Sequence, residues 1–210
     1  MQSSLRRLVL VRHGETDGNS AERLIGSGNP SLSALGREQM LRARAALAGQ
    51  VVDLVVASPA RRAFQSAAVL TGGAPVRLES DFCEIHFGRW EGRSLAEIEV
   101  ADPVRFQQWR DLAADFEYPG GELRAAFRSR VRRGLERLLD SGALGALVVA
   151  HKGVIREITH ALTGARLDRE QPALGDAIVL TLEPGGRWIQ GTRSTNPPGI
   201  PIPAPVEVAR

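Results

Sequence analysis

The sequence predicts an α/β fold, a three-layer α/β/α sandwich with a mainly parallel central sheet. Three observations predict it. Short apolar runs at Leu8-Val9-Leu10-Val11, Val51 to Ala57 and Ala146 to Ala150 alternate with segments of helical spacing. No internal repeat or interdomain linker interrupts that alternation. The chain has 210 residues and 43% hydrophobic content, which suits one domain burying roughly 70% of its unfolded surface without a metal or disulfide.

The elements follow in chain order. Leu8 to Val11, apolar and bounded by charge, reads as a buried strand with Arg12 and His13 at its carboxyl end. Ser33 can cap a helix from about Ala34 to Ala48 that exits at Gly49, and a strand from Val51 to Ala57 follows at once. Ser58 as N-cap and Pro59 at the first helical position predict a second helix, closed by Gly72-Gly73. Phe82 to Gly92 lacks a sustained period and reads as a shaped loop, with short helices near Leu95 to Glu99 and Pro103 to Trp109. Leu123, Phe127, Val131, Leu135 and Leu138 mark an amphipathic helix within Glu122 to Asp140. A strand at Ala146 to Ala150, a helix around Val154 to Leu162 and strands near Ala177 to Leu182 and Arg187 to Gln190 complete the domain, residues 1–195. Residues 196–210 hold five prolines and read as an extended C-terminal tail.

Composition excludes several function classes. No apolar stretch approaches the roughly 20 residues of a membrane helix, so a cytoplasmic protein without a membrane partner is expected. Cys83 is the single cysteine, which rules out an internal disulfide framework. Net charge is only +3, and every basic side chain except Lys152 and the histidines is arginine. The long helix carries Arg124, Arg128, Arg130, Arg132, Arg133 and Arg137 on what reads as its outer face. Without interleaved aromatics this is a solvated surface, balanced by Glu136 and Asp140, rather than a nucleic-acid site.

Chemistry gathers at two strand ends. In open sheets ligands bind at the carboxyl ends of strands, where Arg12-His13 and His151 both fall. Arg12 offers a fork of donors for a tetrahedral anion, Gly14 permits close backbone approach, and Thr16 and Asn19 add short polar groups. Arg62, early in the helix after Ser58-Pro59, points to the same sheet end.

The string Arg12-His13-Gly14-Glu15-Thr16 with Asn19 resembles the signature of the histidine phosphatase superfamily, which includes the cofactor-dependent phosphoglycerate mutases. Ser58-Pro59 with Arg62-Ala63 resembles its second arginine motif. Glu84, Phe87-Gly88 and Trp90-Glu91-Gly92 resemble its acid-bearing segment, and His151 with Gly153 its second histidine motif. The resemblance implies a phosphoglycerate mutase-like fold and a phosphohistidine mechanism. His13 would attack phosphorus, Arg12, Arg62 and Asn19 would hold the phosphoryl oxygens, and His151 would donate to them as charge develops. Glu84 would protonate the leaving oxygen and then activate water. Protonated Glu84 and neutral His13 together imply an acidic or near-neutral pH optimum.

Neighbouring groups have plainer readings. Asp81, His86 and His160 receive no catalytic role, and the motif spacing selects Arg62 over Arg61. Ser66 stands where the family commonly has threonine. Lys152 stands where many relatives have glycine, and it either reaches an additional anionic group on the substrate or turns outward. Trp90, Phe106, Trp109 and Tyr118 either line the leaving-group site or belong to the core.

The acid-bearing segment and Pro119-Gly120-Gly121-Glu122 resemble the phosphatase branch, the group of α-ribazole and broad-specificity sugar phosphate phosphatases, more than the mutases. The resemblance therefore implies hydrolysis of a small phosphorylated metabolite: a sugar phosphate, a phosphoglycerate derivative or α-ribazole phosphate. Mutase-type phosphoryl transfer and an inactive phosphate-binding module are the competing readings. No cofactor and no metal are expected, and a homodimer is implied by the resemblance alone.

Overall fold

A computed structural model describes residues 3–18, 22–111 and 116–191; the proline-rich segment 196–210 lies outside them. The strands are β1 (Arg7–Arg12), β2 (Leu54–Ala57), β3 (Arg77–Leu78), β4 (Gly145–Ala150), β5 (Ala177–Leu182) and β6 (Trp188–Gln190). The helices are α1 (Ala34–Ala46), α2 (Arg61–Thr71), α3 (Leu95–Ala101), α4 (Pro103–Arg110), α5 (Arg124–Leu139) and α6 (Lys152–Thr163), with 3-10 turns at Ser80–Phe82 and Gly88–Trp90.

The strands form one sheet in the order β3-β2-β4-β1-β5-β6. The first four are parallel, while β5 runs antiparallel to β1 and β6 antiparallel to β5. This is the expected mainly parallel sheet with an antiparallel margin.

Side-chain alternation along the strands divides the core in two. Leu8, Leu10, Val56, Ala146 and Val148 face α5 and α6, where they meet Phe127, Val131, Leu135, Leu138, Val154, Ile155 and Ile158. Val9, Val11, Val55, Ala57, Leu147 and Val149 face α1 and α2, where they meet Met40, Leu47, Ala63, Ala67 and Leu70. Helices on both faces give the three layers. β4 is buried at all six positions, which fits a central strand covered on each side. Leu138 is fully buried in the first cluster, and its truncation to alanine is expected to cost about 2–5 kcal/mol.

Three local readings of the sequence are corrected by tertiary contacts. β2 begins at Leu54 rather than Val51; the preceding Asp53 anchors the entry to β4, its carboxylate accepting from the N–H groups of Leu144 and Gly145 at 3.0 and 2.9 Å. Ser58 does not cap α2, which starts at Arg61; the Arg61 N–H donates instead to Asn29 Oδ1 at 2.7 Å. Four arginines of α5 are balanced from other elements rather than along the helix. Arg137 pairs with Glu79 and Asp81, Arg133 with Asp81, and Arg132 with Glu157. Arg130 is not on the outer face at all, since its side chain is only 16% exposed.

Candidate active site

The parallel register between β1 and β4 aligns Arg12 with Ala150, so His13 and His151 leave the sheet side by side. The His13 N–H donates to Ala150 O at 3.0 Å, and the two imidazoles meet edge to face with centroids 5.1 Å apart. β2 ends on the same edge, where the Ser58 N–H donates to Val149 O at 3.0 Å. The chain leaves β1 toward β2 and leaves β4 toward β5, so the crevice opens where the connections diverge.

His13 is 5% exposed. Its Nδ1 lies 2.7 Å from Gly14 O; a carbonyl only accepts, so Nδ1 carries the proton and the Nε2 lone pair is left unprotonated. The Arg62 Nε–H donates to that Nε2 at 3.3 Å. Burial, reinforced by Arg62 and Arg12, holds His13 well below the ordinary histidine range. The ring is therefore neutral near pH 7, with its unprotonated Nε2 beside a guanidinium.

Arg62 is fully buried. Its Nη1 donates to Gly28 O at 2.6 Å, and its Nη2 to Gly26 O at 2.9 Å and Ile25 O at 3.2 Å. That carbonyl cradle is held in turn by Glu91, whose carboxylate accepts from the N–H groups of Gly26, Ser27 and Phe87 at 3.1, 3.0 and 2.9 Å. Arg61, next in sequence, is exposed, as the spacing of the motif implies. Ser66 accepts from the Gly14 N–H at 3.1 Å and donates to Arg62 O at 2.7 Å, so its hydroxyl joins the first histidine motif to the second arginine motif.

Arg12 donates from Nη1 to Pro172 O at 2.9 Å. Its buried Nε has no hydrogen-bond partner among the described residues. Burial lowers both Arg12 and Arg62 from the usual guanidinium value, and Glu84 is the foremost group opposing that effect in each. Two buried cations around one imidazole make a site for an anion.

His151 is 1% exposed. Its Nε2 pairs with the Ser58 hydroxyl at 2.9 Å, while its buried Nδ1 has no partner among the described residues. Burial, then Arg62, His13 and Arg12, holds this ring well below the ordinary histidine range as well. The role of Ser58 is thus at the site rather than at a helix cap, a role that Ser-Pro before a helix disguises.

Glu84 enters from the loop between the two 3-10 turns. Its Oε1 accepts from the Ile85 N–H and its Oε2 from the Gly153 N–H, both at 3.0 Å. The second contact places the carboxylate at the N-terminus of α6. A Cβ at position 153 would overlap Glu84 Oε1, so glycine is what lets the acid reach that helix end. Among the described residues Glu84 makes no ion pair, in contrast to Asp81 with its two arginines.

The remaining candidates separate. Asn19 lies outside the described residues. Thr16 is fully buried and bridges to Leu32. Trp90 is 2% exposed, packed against Trp109, Phe116 and Tyr118; it belongs to the core rather than to a substrate wall. Lys152 is half-buried with Nζ 3.6 Å from Glu170 Oε2. Among the described residues no three His, Cys, Asp or Glu side chains converge as a metal site. Gly14 serves a backbone crossing, since a Cβ there would overlap the Gly36 backbone and one on Gly36 would overlap Glu15 O.

Sequence reasoning missed the carbonyl cradle around Arg62, because backbone acceptors leave no mark in a sequence. It could have found Glu91: an acidic residue inside the Trp90-Glu91-Gly92 string, flanked by loop on both sides, signals a brace for backbone donors.

Comparison with known proteins identifies the family. The sequence model of the histidine phosphatase superfamily (branch 1) matches residues 8–193. A glucosyl-3-phosphoglycerate phosphatase of Mycolicibacterium vanbaalenii is 35% identical over 207 residues, covering 94% of this chain and 88% of that protein. Phosphoserine phosphatase 1 of Hydrogenobacter thermophilus is 28% identical over 166 residues, covering 78% and 79%. Among solved structures, the α-ribazole phosphatase of Shigella flexneri superposes with a TM-score of 0.75 at 26% identity, covering 90% of this chain and 98% of that one. A mycobacterial glucosyl-3-phosphoglycerate phosphatase in complex with VO3 gives a TM-score of 0.73 at 31% identity, covering 89% and 98%. With the two histidines, two arginines and one carboxylate of its motifs gathered at a single sheet edge, the chain belongs to the histidine phosphatase superfamily.

Proposed function

We propose that this phosphatase hydrolyses its small phosphorylated metabolite through a covalent phosphohistidine on His13. The observation that carries the reading is the neutral His13 ring, its Nδ1 proton held by Gly14 O and its Nε2 turned to Arg62. In the first step Nε2 attacks phosphorus, the P–O bond to the leaving group breaks, and Glu84 delivers its proton to the departing oxygen. Arg12 and Arg62 hold the phosphoryl oxygens, and Asn19 is assigned to the same task from its motif. His151 Nδ1, the buried ring nitrogen that Ser58 leaves without a partner, is the donor to the phosphoryl group in this reading. In the second step water attacks phosphorus, Glu84 accepts its proton, the P–N bond breaks, and phosphate and the imidazole are released.

A screen of phosphomonoesters tests this reading, measuring phosphate release and isomeric products with His13→Ala as the blank. Phosphate release together with an acid-labile phosphoenzyme that His13→Ala abolishes is expected. Isomeric products in place of phosphate would establish mutase transfer, and no product with no trapped phosphoenzyme would leave a binding module.

Lys152 favours a substrate with a second anionic group. Its ammonium is half-buried and lowered from the usual lysine value by burial and then by Arg12, so it stands within electrostatic reach of the phosphate-binding arginine. Its protein partner, Glu170, is 90% exposed and free to swing away. The names of the relatives supply the chemistry, since a phosphoglycerate derivative and phosphoserine both carry a carboxylate beside the phosphoester. Lys152→Gly is expected to lower kcat/KM for 3-phosphoglycerate about tenfold relative to glycerol 3-phosphate, which lacks the carboxylate. Equal effects on the two substrates would remove this assignment. A cytoplasmic setting and a homodimer are further proposals; light scattering on the purified chain tests the second.

A further inference from the structure

We propose that Arg130 is a positioning residue for catalysis, a clamp that fixes where the Glu84 carboxylate stands. This rests on the reading of Glu84 as general acid and extends it to a helix outside the four motifs. Arg130 leaves α5 toward the sheet edge, its guanidinium 4.9 Å from the centroid of the Phe127 ring. All five of its N–H donors are spent. Nε and Nη2 grip the Glu122 carboxylate at 2.7 and 2.8 Å, and the other Nη2 proton goes to Glu84 O at 3.0 Å. Nη1 donates to Asp81 O at 2.8 Å and Cys83 O at 2.6 Å. Three donors therefore pin three carbonyls within the four residues that end at Glu84.

The partners of this contact explain its geometry. Glu122 is itself anchored to the acid-bearing loop, because its N–H donates to His86 O at 2.9 Å. Burial opposes the Arg130 charge, and the Glu122 carboxylate overcomes it, raising the guanidinium above its usual value. The other end of Glu84 is fixed by the Gly153 N–H. The general acid is thus held between a clamped main chain and a helix N-terminus. Lysine could not replace the clamp, since a point ammonium has three donors and no planar fork. Neighbouring arginines on α5 do not clamp the main chain: Arg137 forks onto Glu79 as Arg130 does onto Glu122, but Arg132, Arg133 and Arg137 all end on side chains and are 50–55% exposed.

The test uses leaving groups that differ in their need for an acid. An alkyl phosphate such as glycerol 3-phosphate must have its leaving oxygen protonated, whereas 4-nitrophenyl phosphate expels a stable phenolate. The ratio of their kcat/KM values, which report steps up to leaving-group departure, isolates the acid from folding and phosphate binding. Arg130→Lys is expected to lower the alkyl-to-aryl ratio by about 10- to 100-fold, the scale of a misplacement near 1 Å. Arg130→Lys in a Glu84→Gln background is expected to produce no further fall. Glu122→Gln, which loosens the fork while keeping the arginine, is expected to lower the ratio in the same direction and serves where Arg130→Lys does not fold. A fall in both substrates by one common factor, or no change, would overturn the clamp. If Glu84→Gln itself leaves the ratio unchanged, the assignment of Glu84 as acid fails first, and the role of Arg130 falls with it.

Discussion

The two halves of the active site are built by different means. His13 and His151 directly follow adjacent parallel strands, and ladder register sets the spacing of their main chains. Glu84 stands on a loop, and its position depends on Arg130, Glu122 and the close approach of Gly153. The main chain of the histidine half is set by hydrogen bonds in the centre of the sheet. The main chain of the acid half is set by the Arg130 side chain, which one substitution removes. The placement of the two histidines should therefore resist mutation where that of Glu84 does not.

Gly153→Ala tests the weaker half most directly. The new Cβ would overlap Glu84 Oε1, so the carboxylate must move while the histidines keep their register. The kcat for alkyl phosphates is expected to fall on the order of 100-fold, with phosphate binding retained. A variant with unchanged kcat would show that the acid does not depend on this helix end.

The histidine half is open to a titration of stability. Both rings are neutral in the folded protein and lie well below the ordinary histidine value of 6.5. Below about pH 6.5 the unfolded chain takes up protons that the folded chain refuses. Stability is thus fully present above that pH and is lost as pH falls toward the folded values. Each ring contributes a slope of about 1.4 kcal/mol per pH unit within that window, tenfold in the folding equilibrium. Denaturant melts of wild type and His151→Asn should give the same slope near pH 7 and approach that difference between pH 6 and pH 5. Parallel curves would mean that His151 takes up its proton in the fold.

The smallest effect is expected at Arg133, three positions from Arg130 on the same helix. It is 55% exposed and pairs with Asp81 at 3.3 Å. Arg133→Ala should leave the alkyl-to-aryl ratio of the preceding section unchanged, and a fall matching that of Arg130→Lys would show that general surface charge, not a clamp, governs the acid.

The same contrast explains what could be read from the sequence. The strand-borne residues Arg12, His13 and His151 follow apolar runs that announce themselves, and Arg62 follows at a fixed distance from the end of β2. Layer order was legible for the same reason, because alternation such as Leu8, Val9, Leu10, Val11 already divides two faces. Arg130 was not legible. An arginine in an arginine-rich helix carries no sign of facing inward, and only the placement of α5 against the acid loop turns it there. Ser58 misled because a serine before proline is a sound cap in isolation, and the nearby histidine that claims it comes from a distant strand.

β5 runs antiparallel to β1, so the connection from α6 re-enters the sheet at the catalytic edge. Residues 165–176 consequently touch the pocket at Arg12 through Pro172 and at Lys152 through Glu170, while remaining outside every strand and helix. A single reversed strand thereby gives this enzyme one replaceable rim, where insertions or exchanges could retarget the leaving group during evolution or engineering while the phosphoryl-transfer centre stays as it is.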